Sequence, residues 1–130
     1  MNNKYIFLLK FFRYLTKFID NEENLEELII ILCTVPGDGK ADILADKLVE
    51  NKLAACVNVI PGIKSIYYWQ GEICRDEEKL LLIKTLRSHE TKVYDYIKSN
   101  HPYQVPERLS LSVLKAGDDY QKWAIDYIQG

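Results

Sequence analysis

The chain is poor in the residues that most often carry chemistry. It has two histidines, His89 and His101, and three cysteines, Cys33, Cys56 and Cys74. No two cysteines form a CxxC pair, so neither a zinc ribbon nor a dithiol redox site is expected, and an odd number at wide spacing is no disulfide framework. That usage fits a reducing compartment, and a cytoplasmic location is the expectation. No GxSxG, P-loop, GxGxxG or HExxH motif occurs, so no enzyme activity is expected. "PGDG", residues 36–39, has glycines but no lysine–serine pair after them. No basic stripe exists beyond the first twenty residues and the formal net charge is −2. Nucleic acid is therefore not an expected partner.

What is present suffices for a core. The 130 residues are 48% hydrophobic and 28% charged, which fits one folded domain and argues against disorder. The first stretch stands apart. "MNNKYIFLLKFFRYLTKFI" carries Lys4, Lys10, Arg13 and Lys17 and no acid. Lys10, Arg13 and Lys17 share one side of a helix, and Phe7, Phe11, Leu15 and Phe18 share another. This basic amphipathic segment is too interrupted by charge to span a bilayer. It reads as a presequence for organelle targeting, a peripheral membrane contact, or an extra helix packed on the domain. "DNEEN" follows as a polar linker. The division is thus residues 1–24, extension and linker, and residues 25–130, the domain.

Within the domain, "ELIIILCTV" (27–35) is a continuous apolar run and predicts a strand buried on both faces. A helix follows with Ala41, Leu44, Ala45, Leu48 and Val49 on one stripe and Asp38 as its N-cap. Residues 54–73 predict a long strand bent at Pro61–Gly62, and "WQGE" a turn. "KLLLIKTL" (79–86) completes a long hairpin whose far end carries Tyr67, Tyr68 and Trp69. "RDEE" (75–78) reads as solvated. Ser88 is the expected cap of a second helix with Val93, Tyr96 and Ile97 inward. Proline disfavours helical geometry in the residue before it, so "NHPYQVPE" (100–107) ends that helix with His101 extended. "RLSLSVL" (108–114) alternates as a half-buried strand, and a last helix carries Tyr120, Trp123, Ala124, Tyr127 and Ile128.

This order predicts an α+β fold, a ferredoxin-like βαββαβ sandwich with a long hairpin and a C-terminal helix. Both main helices then cover one sheet face, yet the strands are apolar on both. The second face needs a cover: further copies of the chain in a homo-oligomer, or the N-terminal helix in a monomer. The aromatic trio at the hairpin end reads as interface packing or as a stacking platform for a ligand. Lys84, a charge inside an apolar strand, needs a partner, and Glu72 or Glu107 is expected. A cleft holding Lys84, Tyr103 and Glu107 would suit a small anion.

The pieces "LCTVP", "LADKLVENKLAACVNVIPGIKSIYYWQGEI", "LLLIKT" and "HPYQVPE" lie in an order that resembles the CutA family of divalent-cation tolerance proteins, from about residue 28 to the end. The resemblance implies a tight homotrimer and a link to copper or another divalent cation in metal tolerance. It implies Cys33, Asn100 and His101 as metal ligands. Asn100 stands where the family can have histidine, and an amide is a poorer copper ligand than imidazole, so binding is expected to be weak. The position of His101 past a helix C-terminus is independently favourable for a cation. Some members serve as partner-binding or anchoring proteins, which leaves an unidentified protein partner open. The architecture also resembles the PII signalling proteins, which implies as an alternative a small-effector sensor or scaffold without a metal role.

Overall fold

The computed structural model describes residues 5–13 and 24–130. Residues 5–13 are helical (α1), and all nine are exposed. Leu15, Lys17 and Phe18, which continue its expected stripes, lie outside the described residues. The domain runs β1 (Leu28–Pro36), α2 (Lys40–Glu50), β2 (Cys56–Trp69), β3 (Glu72–Leu86), α3 (Glu90–Asn100), β4 (Leu109–Ser112) and α4 (Asp118–Gln129). The sheet is antiparallel in the order β2-β3-β1-β4. This is the expected ferredoxin-like plan with a tail helix.

Side chains alternate between sheet faces with a period of two. Ile29, Ile31, Cys33 and Val35 of β1 join Leu81 and Ile83 of β3 on one face. There they pack against Ala41, Leu44 and Leu48 of α2 and Val93 and Ile97 of α3. Each fully buried leucine or isoleucine contributes about 1.5–3 kcal/mol, so this layer is the main source of stability. Val49 and Tyr96, expected inward, are only half-buried.

The opposite face is apolar and much less covered. Ile30 and Leu32 of β1 and Leu80 and Leu82 of β3 are half-buried. Register places Leu109 opposite Leu32 and Leu111 opposite Ile30, so the leucines of β4 extend the same face. α4 covers one end only, packing Ala124 and Ile128 on Leu28 and Leu86. Tyr120 and Trp123, expected on its buried stripe, remain exposed. All four residues of β4 are exposed, against the half-buried reading, because its apolar side points away from both main helices. The described part of α1 does not bury this face either.

The hairpin bends where expected. A register shift separates Ile60 from Ile63, and Gly62 sits at φ +74°, which only glycine adopts without strain. Gln70 and Gly71, both with positive φ, close a two-residue turn beside Trp69. The expected caps differ. Gly39 rather than Asp38 caps α2, and the Asp38 carboxylate meets the Lys40 N–H and the Lys40 ammonium, each at 3.4 Å. A 3-10 turn, Arg87–His89, precedes α3, and the Ser88 hydroxyl pairs with His89 Nδ1 at 2.8 Å instead of capping the helix.

Candidate functional site

β3 begins further back than its apolar run suggested, so "RDEE" is strand. Lys79 points to the helices and meets Asp42 of α2 at 3.7 Å. Glu78, one residue earlier, must point to the other face. It is only 5% exposed, against the solvated reading. Its Oε2 accepts a hydrogen bond from the Tyr103 hydroxyl at 2.9 Å.

Tyr103 is held there by His101. The Tyr103 backbone N–H donates to His101 Nδ1 at 3.0 Å. In a neutral ring the hydrogen is then on Nε2, which lies 2.8 Å from the Thr34 carbonyl and donates to it. The His101 and Tyr103 rings are 4.7 Å apart. The helix-ending segment is thereby pinned to the end of β1, and Pro106 and Glu107 lead straight into β4. Burial and the bond to Glu78 push the Tyr103 phenol well above its ordinary pKa.

Glu107 completes the group. Its Oε2 is buried and has no hydrogen-bond partner among the described residues. Burial raises its pKa, the charge of Glu78 raises it further, and the Thr34 N–H partly offsets both. Two neighbouring carboxylates thus share one wall of a cleft of about 680 Å³. Tyr67, Trp69 and Tyr103 form other parts of its lining, and no lysine, arginine or histidine is among the residues that line it. Tyr67 is itself bonded to Asp76, and this raises its pKa to about 12.

The anion cleft expected from the sequence is therefore inverted in charge. Lys84 does not reach Glu72 or Glu107; it bonds to Asn58 on the neighbouring strand. What remains around Tyr103 is negative. Glu78 was missed because an acidic run reads as surface. The available signal was parity, since Glu78 shares its strand face with Leu80 and Leu82.

The three ligands implied by resemblance are each engaged elsewhere. Cys33 is fully buried on the helix face, and its thiol points to the Thr34 carbonyl at 3.7 Å. Burial, then Glu107 and Glu78, push its pKa up to about 12, whereas a metal needs the thiolate. The one ring lone pair of His101 takes the Tyr103 N–H. Asn100 is exposed and donates to the Tyr96 carbonyl of its own helix at 2.8 Å. As arranged in this chain they do not fit a copper site. Among the described residues no three His, Cys, Asp or Glu side chains converge as a metal cluster.

Comparison with known proteins places this architecture. The model of the CutA1 divalent ion tolerance protein family matches residues 29–126. A divalent-cation tolerance protein CutA of Salmonella newport is 41% identical over 100 residues, 77% of this chain and 87% of the relative. The Thermus thermophilus divalent cation tolerance protein superposes with a TM-score of 0.72 at 44% identity, covering 74% of this chain and 93% of the other. CutA1 from Oryza sativa gives 0.76 at 38% identity, covering 78% and 93%. The chain belongs to the CutA1 divalent ion tolerance family.

Proposed function

We propose that this protein serves tolerance of divalent cations as a homotrimer, and that the cation meets each chain at the Glu78–Glu107 pair. The observation that carries the site is Glu107 Oε2, buried without a partner beside a second carboxylate. A bound cation would supply the charge that the cleft lacks. Two carboxylates are fewer ligands than a closed site needs, so water or a neighbouring copy completes it and binding is weak. Oxygen donors of this kind suit hard divalent ions better than copper. Copper at Cys33, His101 and Asn100, the finer expectation, would have to displace a hydrogen bond at each of the three. The trimer is supported by the apolar sheet face that α4 leaves open. Residues 25–130 carry this role in our reading, with no enzymatic step, and the three free cysteines suit the cytoplasm.

A second reading has support of its own. The cleft volume falls in the range of small-molecule sites, and Tyr67, Trp69 and Tyr103 offer ring faces beside two carboxylates. An organic amine would fit this wall, which is the effector-sensor alternative.

Calorimetric titration of the full chain with Mn²⁺ and with Cu²⁺ tests these readings, using wild type, Glu107→Gln and His101→Asn. Saturable binding lost in Glu107→Gln and kept in folded His101→Asn supports the cleft. Cu²⁺ binding lost only in His101→Asn returns the site to Cys33, His101 and Asn100. No binding of either ion refutes the cation reading, and amine ligands are then titrated into the same proteins.

A further inference from the structure

Among the described residues outside the domain, α1 is a strongly apolar surface. Tyr5, Ile6, Phe7, Leu8, Leu9, Phe11 and Phe12 are all exposed in a helix of nine described residues. At about 100° per residue, Phe7, Phe11, Leu8, Phe12, Tyr5 and Leu9 sweep an arc of about 200°. Lys10 and Arg13 lie on the remaining side, with Ile6, the least exposed of the apolar residues, between them. No described helix is long and apolar enough to cross a membrane.

The charge distribution says what this surface meets. Four of the chain's 17 Lys and Arg residues, and none of its 19 acidic residues, fall within positions 1–19. The rest of the chain is therefore acidic and would be repelled from a negative surface. A basic helix docked on its own acidic domain would hide its apolar arc, yet all nine residues are exposed. A wide apolar arc with basic residues at its border matches the boundary between acyl chains and anionic headgroups.

We propose that α1 is an in-plane membrane anchor that holds the acidic cation-tolerance domain at an anionic lipid surface. The apolar arc sinks into the acyl boundary while Lys10 and Arg13 reach back to phosphate. The domain stays in water.

Flotation with vesicles tests this on the full chain. Phosphatidylcholine alone is compared with phosphatidylcholine mixed with phosphatidylglycerol. Wild type is expected to float with the anionic vesicles and to be released as salt rises. Phe7→Glu with Phe11→Glu is expected to abolish flotation. Lys10→Gln or Arg13→Gln is expected to lower partition about fivefold each, from about 1 kcal/mol per basic group. Circular dichroism of each variant confirms that the domain is folded. No flotation of wild type overturns the proposal, as does flotation that survives Phe7→Glu with Phe11→Glu. A loss of self-association in that variant, with vesicle binding unchanged, assigns α1 to contacts between copies and also overturns it.

Discussion

His101 Nε2 donates to the Thr34 carbonyl across 67 residues of sequence, at 2.8 Å. That bond ties the end of α3 to the end of β1, and the same ring accepts the Tyr103 N–H. The histidine that resemblance marks as a ligand is, within this chain, a bracket. His101→Ala should leave two backbone groups unpaired and cost about 2 kcal/mol. The check is a drop in denaturant midpoint at unchanged slope, with Cys33 no more reactive to thiol reagents than before.

Tyr103 and Tyr67 both donate to carboxylates, but their surroundings differ. Glu78 is buried, whereas Tyr67 and Asp76 lie at the exposed hairpin. Removing the Tyr103 hydroxyl leaves a buried carboxylate without its donor. Tyr103→Phe should therefore destabilise by about 1–2 kcal/mol. Tyr67→Phe should stay within about 0.5 kcal/mol of wild type, since exposed pairs contribute little. Equal effects in a pair of melts would mean that Glu78 is not isolated from water as its burial indicates.

These contrasts show which features a linear reading reaches. The unbroken apolar run of β1, the helical repeat from Ala41 to Leu48 in α2 and the turn signal between the two hairpin runs made these elements legible. The bend at Pro61–Gly62 and the turn after Trp69 were legible because few residues tolerate those dihedral angles. Glu78 was hidden, since a strand entering from an acidic run hides its own start. Charge alone points Lys84 to Glu72 or Glu107, but register places Asn58 opposite Leu82, two residues along β3 on the same face. The caps failed for a related reason: Asp38 and Ser88 are good capping types, but each stands one residue too early. Cys33 and His101 both lie near the β1 end in the fold, but nothing linear brings His101 there or says that the polar atoms of the two are already engaged.

The leucines of β4 give the assembly a direct test. Leu111 is 48% exposed and lies opposite Ile30 on the open face. A glutamate there would place a charge in the contact that the proposed trimer buries. Wild type should run in native mass spectrometry at the mass of three chains. Leu111→Glu should run as a single chain while keeping its helical content, because neither α2 nor α3 touches this face. A trimer that survives the change would mean that the copies meet elsewhere, with the hairpin aromatics as the next surface to test.

Glu107 makes stability depend on pH in a way that identifies the cleft. Its pKa is raised from the ordinary value of 4.5 by burial and then by Glu78. Below 4.5 the carboxyl is protonated both folded and unfolded, and its contribution is fully present. As pH rises, the unfolded chain ionises freely while the folded chain resists. This contribution is lost as pH climbs from 4.5 through the folded pKa. Glu107→Gln should remove that slope. Because Glu107 as a whole is only half-buried, solvent screening should keep the gain at neutral pH small, about 0.5 kcal/mol. A divalent ion should act in the opposite sense. It favours the ionised pair, so the stability it adds should grow with pH in wild type and be absent in Glu107→Gln. Denaturant midpoints with and without Mn²⁺, from below pH 4.5 into the neutral range, separate the two effects. Matching slopes in wild type and variant would show that Glu107 titrates as it does in the unfolded chain. A Mn²⁺ effect that ignores Glu107 would place the ion elsewhere on the protein.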